Sequence, residues 1–491
     1  MKRSLAVFFL VLIFLVTFSS RALVSFQTDE FSYGSYFALR QIENINENGL
    51  PLFEDSLSYG GRVHLFPPVF YYLIAFFSFL GTGVAAKIIP NLLSSLVVVV
   101  IYFIVYHVTK KRSISLLSAF FSGFIPVFLV TATEISIYSL VVLLILLILL
   151  FIMKIKSGLL YLKLALLLIV ILVFSHTSAF FLIIGLLFFL LLLRIESLEI
   201  DKKEAELILF ASFLTLWFNF IIYKKAFLIH GTYVIWQNIP LPILTNYFFD
   251  LNVVQSIYYI GIVLVFLGIY AIYHALFKLK KKSLFLSLSV FLSILLLLWL
   301  KLIQYKVGLI LMGLMLVILS SHTMKLVYSY LNKTKIKNAG NWFLAGLLVL
   351  FILTSVIPSF NIAMTSLNNV PSDSEKDAMI WLKENTEEDS VILARLEEGY
   401  AINYFAHRKT VIDRNFLMIE DAEQRYEDVE LMFSLRLKTE VVRRLNKYDV
   451  DYIYFSGKFG DEEKLYYASP DCFELVYDES IKIYKVGCTI Q

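Results

Sequence analysis

The sequence predicts a polytopic α-helical membrane protein of about eleven transmembrane helices, with a small C-terminal α/β domain outside the membrane. Of its 491 residues, 59% are hydrophobic and only 17% are charged, which is more apolar than a soluble core of this size requires. Apolar runs long enough to cross about 30 Å of hydrocarbon recur from Leu5 to Ile357 and then stop. The net charge of +4 is small and the basic residues form short clusters between the apolar runs. Such clusters are typical of topology signals and not of a nucleic-acid surface.

The first apolar run follows Met1-Lys2-Arg3 and ends near Val24, and we interpret it as a transmembrane helix. A cleavable signal peptide is the alternative, but the apolar part of a signal is usually about 7 to 15 residues long. The segment Ser19 to Ala22 is also a poor cleavage site. With the N-terminus in the cytoplasm, this helix places residues 25–63 on the outer face, and Arg21 can extend to the outer interface.

The short apolar segment 65–80 contains Pro67-Pro68 and is predicted to be re-entrant or interfacial. If it does not span, the cluster Lys110-Lys111-Arg112 lies inside, and the later basic clusters also fall on inner loops. The C-terminal segment then emerges outside the cell membrane. The transmembrane domain is predicted over 1–358 and the extracytoplasmic domain over 359–491. The other helices are predicted at 84–107, 115–132, 136–153, 158–174, 177–193, 205–222, 253–276, 283–300, 307–323 and 340–357.

Beyond Pro371 the helix and strand patterns alternate, as is typical of a small α/β domain. If the final hairpin turns near Ser480, Cys472 lies opposite Cys488, and these are the only two cysteines. A disulfide, which is permitted outside the cytosol, and two unpaired thiols both fit the sequence. The predicted elements are a helix capped by Ser372 or Ser374, strands at 391–394, 410–412 and 450–455, a helix or loop at 400–406, a helix at 437–448, and hairpin strands at 473–477 and 481–486.

Carboxylates, cations and aromatic residues converge in the first outer loop. It contains the acidic pairs Asp29-Glu30 and Glu54-Asp55, then Arg62 and His64, and then the aromatic run beginning at Phe66. A carboxylate at the boundary between water and lipid can accept a proton from an attacking hydroxyl, and Arg or His can neutralise a phosphate leaving group. On position alone, Asp29 and Glu30 are explained equally well as ordinary interfacial acids.

Three stretches carry a resemblance to a known family: Thr28-Asp29-Glu30-Phe31-Ser32-Tyr33 with Pro67-Pro68-Val69-Phe70-Tyr71-Tyr72, then Thr133-Glu134-Ile135, then Ser175-His176-Thr177. They resemble the first outer loop, the second outer acidic turn and the Ser/Thr-His-Pro turn of the GT-C glycosyltransferase superfamily. The branch that they resemble contains protein O-mannosyltransferases, which act in protein glycosylation, and aminoarabinose transferases. The segment 399–413 is distantly similar to the outer domain of archaeal oligosaccharyltransferases.

The resemblance implies an enzyme that moves a sugar, such as a hexose or mannose, from a polyprenyl or dolichyl phosphate to a hydroxyl acceptor on a glycan, lipid or protein. It implies inversion at the sugar carbon on the outer face, with Asp29 as general base beside Glu30. A divalent cation, Mg or Mn, is also implied as a candidate and would take oxygen ligands. Candidates for the donor phosphate are Arg62, His64 and Lys306, and candidates for the acceptor or the metal are Glu134, His176, Glu54 and Asp55.

The sequence departs from the family pattern at several points. No acid directly precedes Pro67-Pro68, and no proline follows His176. The Trp-Trp-Asp-Tyr-Gly acceptor motif of the oligosaccharyltransferases is absent from the sequence. Transfer of a single sugar is therefore expected in preference to transfer of an oligosaccharide to asparagine.

Two other classes of function fit a chain of this composition. One is a lipid or solute transporter or flippase without transferase activity, although strong acids are scarce in the predicted helices and no pair of broken helices recurs in the two halves. The other is a catalytically silent module whose outer domain binds a glycan or a protein partner.

Overall fold

The long apolar runs form helices, which confirms the predicted polytopic membrane fold. A computed structural model describes residues 2–63, 65–236, 252–336, 338–415, 418–460 and 462–489. Within these ranges seven helices are long and apolar enough to cross a membrane, or nine if each of two bent helix pairs counts as one span. Two shorter apolar helices, Leu159–Val173 and Ala179–Ile195, have 15 and 17 residues. The predicted number of eleven is reached only if these two also span.

The helices and strands have the following bounds. The helices are α1 Arg3–Ser25, α2 Ser35–Asn48, α3 Val69–Phe76, α4 Thr82–Thr109, α5 Arg112–Gly123, α6 Pro126–Leu129, α7 Tyr138–Lys154, α8 Leu159–Val173, α9 Ala179–Ile195, α10 Lys202–His230, α11 Val253–Ile260, α12 Ile262–Phe277, α13 Lys282–Trp299, α14 Tyr305–Leu331, α15 Ala339–Phe351, α16 Ile357–Thr365, α17 Asp373–Asn385, α18 Gly399–Phe405, α19 Ala422–Ser434 and α20 Lys438–Lys447. The strands are β1 Glu54–Asp55, β2 Arg62–Val63, β3 Val391–Leu393, β4 Lys409–Thr410, β5 Val450–Phe455, β6 Phe473–Asp478 and β7 Lys482–Val486.

The chain divides into two compact units, each assembled from separate stretches. Unit 1 comprises Met1–Thr28, Pro67–Ile221 and Tyr247–Leu367, and unit 2 comprises Asp29–Phe66, Ile222–Asn246 and Asn368–Gln491. From Asp29 onward, the predicted first outer loop therefore belongs to the same unit as the C-terminal residues. Where the chain leaves the membrane, placed at 358/359 from the sequence, stays a prediction.

Unit 1 is built around helix α14. In the 18-residue apolar stretch of α14, 94% of the residues are buried, whereas in the corresponding stretch of α1 only 22% are buried. Small residues allow neighbouring helices to approach α14 closely: a Cβ on Gly308 would lie 2.5 Å from a methyl carbon of Leu298. Helix α14 is therefore surrounded by protein, whereas most of α1 is not.

Two of the predicted straight helices are broken. The helix predicted at 115–132 bends by 56° before Pro126, and the helix predicted at 253–276 bends by 99° at Gly261. Proline cannot donate a backbone hydrogen bond. Gly261 has a φ of 105°, and a Cβ there would lie 2.6 Å from the Ser355 hydroxyl oxygen. The expectation that no pair of broken helices recurs in the two halves is wrong, because each half has one bent pair among the described residues.

Helix α3 occupies the segment predicted to be re-entrant or interfacial. It has eight residues and is therefore only about 12 Å long, whereas a span must cross about 30 Å. This length supports the prediction that residues 65–80 do not cross the membrane. By contrast, α10 runs on to His230, beyond the predicted end at residue 222. The segment that follows this helix therefore begins later than predicted, and residues 237–251 lie outside the described ranges.

Unit 2 contains a five-stranded sheet of order β4-β3-β5-β7-β6. Strands β4, β3 and β5 are parallel, and β7 pairs antiparallel with both β5 and β6. Apolar side chains of α19 and α20, among them Val429, Phe433 and Leu445, form a core with Leu393 and Ile453 of the sheet. The small α/β domain predicted from the alternating pattern is present.

Local signals explain two features of unit 2. Ser372 and Glu375 form a capping box at the start of α17, in which each side chain satisfies a free N–H group of the other residue. The final hairpin brings Cys472 opposite Cys488, and the two are joined by a disulfide with a Cα–Cα distance of 5.0 Å. Of the two open alternatives, paired and unpaired cysteines, the structure has the pair.

Helix α2 lies in the predicted first outer loop, where no helix was predicted. It ends at Asn48 and is followed by Gly49, whose φ of 76° is the left-handed conformation common after a helix. Its buried side chains, including Tyr36, Leu39 and Ile42, form one face. The first outer loop is thus folded around a helix.

Candidate active site

Asp29 and Glu30, the predicted catalytic acids, follow helix α1 and have different surroundings. Asp29 is exposed, and it forms no hydrogen bond or ion pair with any residue that the structure describes. Glu30 is half-buried, accepts a hydrogen bond from the Tyr36 hydroxyl at 2.9 Å and forms an ion pair with Lys376. Asp29 is therefore open to a substrate, whereas a cation already holds Glu30.

The backbone that leads into Asp29 is held by Lys87, a cation inside helix α4. Lys87 is 6% exposed and its ammonium group donates a hydrogen bond to the carbonyl oxygen of Thr28. It also lies 5.3 Å from the centre of the Phe26 ring. The signal for such a role is an ionisable residue within an apolar run, although the sequence does not identify its partner.

Arg21 is buried and does not extend to the interface, so that expectation is wrong. It is 1% exposed. Its guanidinium donates to Asn91 Oδ1 at 3.1 Å, to the Phe128 carbonyl at 2.8 Å and to Thr131 Oγ1 at 2.7 Å. Polar partners deep in the bundle satisfy the charge better than a route to water. Arg21 therefore joins helices α1, α4 and α6 and the turn after α6.

Asp55 and Arg62, which face each other on the short β1–β2 ladder, form a buried charge network. The Arg62 guanidinium lies 2.7 Å from Asp55 and 2.6 Å from Asp413 and also donates to the Asn415 carbonyl. Asp55 additionally pairs with Arg40 at 2.8 Å. Burial raises the pKa of Asp55, but Arg40 and Arg62 outweigh it and lower that pKa to about 2.

This network changes the interpretation of Arg62 and Asp55. The Arg62 side chain is 1% exposed and is already neutralised by two carboxylates. A donor phosphate would have to displace one of these carboxylates, and a metal would have to displace an arginine from Asp55. The predicted roles in phosphate and metal binding do not fit this geometry, and both residues are better explained as fixing the fold of the loop.

The remaining candidates of the first loop are Glu54 and His64. Glu54 is exposed on β1 and lies opposite Val63, so it stays open to solvent beside the buried Asp55. His64, predicted for the donor phosphate, lies outside the described residues.

Glu134 and Lys306, which were predicted separately, are paired in unit 1. Glu134 follows the 3-10 turn Val130–Thr133, and Lys306 lies in the first turn of α14. Lys306 Nζ is 2.5 Å from Glu134 Oε1, and the two side chains are 27% and 32% exposed. A pair this accessible can exchange partners, so Lys306 is able to meet an anion and Glu134 a cation.

His176 lies in the turn between α8 and α9, where its ring organises the turn. The backbone N–H of Ser178 donates to Nδ1 at 3.1 Å, and the Ser178 hydroxyl lies 2.7 Å from the same nitrogen. The ring also meets Tyr138 edge to face at 5.2 Å between centres. These contacts support a structural role for His176.

Sequence reasoning missed a polar group that the C-terminal segment contributes to unit 2. The Tyr33 hydroxyl donates to Glu375, which also accepts from Lys458 Nζ at 3.0 Å. Lys458 donates further to the Val370 carbonyl at 2.8 Å. The contacts span 342 and 83 residues of sequence, so no local pattern indicates them. Together with Lys376, these residues fix the first loop beyond Asp29.

The predicted divalent cation finds no ready set of ligands. Across the described ranges, no three side chains from His, Cys, Asp and Glu lie close enough together to hold a metal ion. Arginines hold Asp55, and cations pair with Glu30 and Glu134. The described residues therefore do not fit a resident metal, and we derive no step through one.

Solved structures with a similar fold include an oligosaccharyltransferase, the protein ArnT and an arabinofuranosyltransferase. An oligosaccharyltransferase from Archaeoglobus fulgidus, in its apo form, matches with a TM-score of 0.69 at 14% identity, over 93% of this chain and 70% of that chain. The AglB oligosaccharyltransferase of that organism is also solved with an inhibitory peptide and a dolichol-phosphate. ArnT from Cupriavidus metallidurans, bound to undecaprenyl phosphate, matches with a TM-score of 0.54 at 11% identity, over 99% of this chain and 98% of that chain.

A third similar structure is the arabinofuranosyltransferase AftD from Mycobacteria. It matches with a TM-score of 0.60 at 14% identity, over 100% of this chain and 42% of that chain. No protein-family model and no curated protein sequence matches the chain. The chain thus shares its fold with the solved structures of an oligosaccharyltransferase, ArnT and an arabinofuranosyltransferase.

Proposed function

We propose that this protein is an integral membrane glycosyltransferase that moves a sugar from a polyprenyl phosphate to a hydroxyl acceptor. The observation that carries the proposal is the fold, which is shared over 99% of the chain with ArnT, a protein solved with undecaprenyl phosphate bound. A multi-pass membrane fold also suits a donor whose lipid tail stays in the bilayer. From the charge of the loops, we expect the reaction to take place on the outer face of the membrane.

We propose Asp29 as the general base. Its exposure and its lack of a partner among the described residues support this role, because a base must be able to reach the proton that it removes. The acceptor hydroxyl gives its proton to the Asp29 carboxylate while its oxygen forms a bond to the anomeric carbon. The bond from that carbon to the phosphate oxygen breaks, and the electron pair leaves with the polyprenyl phosphate. Attack opposite the leaving group inverts the sugar carbon.

Lys306 is our candidate for the cation that stabilises the departing phosphate. Two carboxylates already neutralise the charge of Arg62. Among the described candidates for this role, Lys306 therefore has the more accessible charge. A charge aimed at a developing anion lowers the barrier most where water is excluded. Glu30 is proposed as a positioning residue. It follows Asp29 in the chain, and its contacts with Lys376 and Tyr36 fix its side chain.

Transfer from a radiolabelled donor tests the proposal. Membranes containing the protein are incubated with polyprenyl-phosphate mannose or glucose, and the label that leaves the lipid is counted. Because general-base assistance contributes about 100-fold to 10,000-fold, Asp29→Asn should lower the rate by that factor and leave the protein folded. Asp478→Asn, the same change at another exposed aspartate, should leave the rate unchanged. Full turnover in Asp29→Asn would exclude Asp29 as the base.

A transporter or flippase is the second candidate, and the two broken spans favour it, since transporters often place binding sites at broken helices. The same membranes separate the two functions. A flippase moves the labelled lipid between leaflets without cleaving it, whereas a transferase releases the sugar from the lipid. Lipid movement without sugar release in the intact protein would replace the transferase proposal.

A further inference from the structure

A cavity of about 290 Å³ lies in unit 1, where the ends of several helices meet. His107 near the end of α4, Lys156 after α7, and Lys281 and Lys282 at the start of α13 contribute to its wall. Glu204 in the first turn of α10 and Ser283 of α13 complete the polar part. The basic loops that contribute these residues are the ones predicted to face the cytoplasm, so this cavity is distinct from the predicted outer loop.

Positive charge exceeds negative charge in the wall of this cavity. Glu204 is the acid in the wall, and Lys282 already pairs with it. Lys156 is exposed and has no ion pair among the described residues. Lys110 and Lys154 also act electrostatically on His107. The wall therefore holds cations that no carboxylate of the wall neutralises.

Lys281 is partly buried among other positive charges. It is half-buried, and its ammonium group donates to the Val108 carbonyl at 2.5 Å. Burial, followed by the charges of Lys325 and Lys110, lowers the pKa of Lys281. Like charges held partly out of water repel one another, and a bound anion would relieve that repulsion.

The rest of the wall is apolar. Ile152 of α7, Phe189 of α9 and Leu286 of α13 line it, and these helices belong to the membrane-embedded part of the chain. A cavity with cations at one side and apolar side chains of membrane-embedded helices at the other suits an anionic headgroup whose acyl chains stay in the bilayer. A soluble phosphate offers the same charge but gains nothing from the apolar side.

We propose that this cavity binds a phosphate group, and that the headgroup of an anionic membrane lipid supplies it. The main contacts are Lys156 and Lys281, with His107 as a further hydrogen-bonding group. The site is separate from the proposed sugar transfer, because none of its residues belongs to the Asp29 loop or to the Glu134–Lys306 pair. Loss of lipid binding and loss of transfer can therefore be told apart.

Lipid retention on the purified full-length protein tests the proposal. The protein is extracted from nanodiscs of mixed phosphatidylglycerol and phosphatidylcholine, and the lipids that remain bound are counted by native mass spectrometry. Phosphatidylglycerol should be retained in preference, and Lys156→Gln with Lys281→Gln should weaken retention roughly fivefold for each lysine removed. The matched control is Lys333→Gln with Lys335→Gln, two exposed lysines outside the cavity, and it should retain the lipid like the original protein.

A single variant and a competition with inorganic phosphate complete the test. Lys156→Glu changes only an exposed residue, so it should fold normally and still reduce retention if the double variant is unstable. Inorganic phosphate at millimolar concentration should not displace the lipid; displacement that depends on Lys156 would assign the cavity to a soluble phosphate. Equal retention of phosphatidylglycerol by the original protein, Lys156→Glu and the control would overturn the proposal.

Discussion

The predicted first outer loop contains two acidic pairs, and their surroundings differ sharply. In Asp29-Glu30 the first acid is exposed and has no partner among the described residues. In Glu54-Asp55 the second acid is buried between two arginines. Two aspartates of one loop thus have different surroundings: Asp55 is suited to hold the loop together, and Asp29 is suited to meet a substrate.

The difference follows from how a carboxylate is neutralised. Two arginines stabilise the charged form of Asp55 and lower its pKa to about 2, so this acid binds protons too weakly to serve as a base near neutral pH. Nothing described neutralises Asp29, so its charge remains available to a reacting hydroxyl. Three changes test this contrast, from the largest expected effect on stability to the smallest.

Removal of Arg62 should cause the largest effect. Arg62→Gln leaves Asp55 and Asp413 buried with less compensation, and breaking a buried pair in this way costs about 3 to 5 kcal/mol. The thermal unfolding midpoint of the detergent-solubilised protein should fall clearly. Arg443→Gln, at an arginine whose side chain is 68% exposed, should change it little. Equal midpoints for both variants would show that the network does not hold the loop.

Acid should act through Asp55. Because its pKa is lowered from an ordinary value near 3.8 to about 2, its contribution to stability is present above about pH 4 and is lost as the pH falls toward 2. The shift corresponds to a free energy on the order of 2 kcal/mol. The unfolding free energy, measured against pH, should therefore fall less steeply in Asp55→Asn, which is already less stable at neutral pH.

The matched variant for the acid experiment is Asp29→Asn. Because no described residue pairs with Asp29, the change removes no described contact, and the stability profile of the variant should follow that of the original protein. Parallel profiles for Asp55→Asn and the original protein would contradict the contrast between the two acids.

The pair of Glu30 with Lys376 should have the smallest effect. The Lys376 side chain is 36% exposed, and exposed ion pairs typically contribute about 0.2 to 1 kcal/mol. A double-mutant cycle of Glu30→Gln and Lys376→Gln should give a coupling energy within that range, decreasing at high salt. A coupling energy above about 2 kcal/mol would place Glu30 with the structural acids instead.

Much of the fold could be predicted because its signals are local. Hydropathy indicates the long helices, the spacing of Ser372 and Glu375 indicates a cap, and the final hairpin brings Cys472 opposite Cys488. The break at Gly261 could not be predicted, since an isolated glycine in an apolar run is common and its neighbour Ser355 is distant in sequence.

The candidate site was harder to predict, because sequence shows residue types and not their partners. Asp29 and Asp55 look alike in the loop, and Arg62 suggests a phosphate ligand until Asp413, 351 residues later, is seen beside it. The Asp29 assignment came from a resemblance to a family and stays a prediction until it is tested. No sequence pattern indicates the roles of Lys376 and Lys458, because their contacts with the loop join parts of the chain that are distant in sequence.

The discontinuous make-up of unit 2 has a consequence for biosynthesis. Residues 29–66 leave the ribosome long before Asp413, so the Arg62 guanidinium waits through the insertion of most of the transmembrane helices before its second carboxylate arrives. Closing so long a chain costs conformational entropy, which the sheet and the buried charges must offset together. A chain that ended before residue 413 would therefore lack the Arg62–Asp413 ion pair. We expect residues 29–66 of such a chain to be more accessible to proteases.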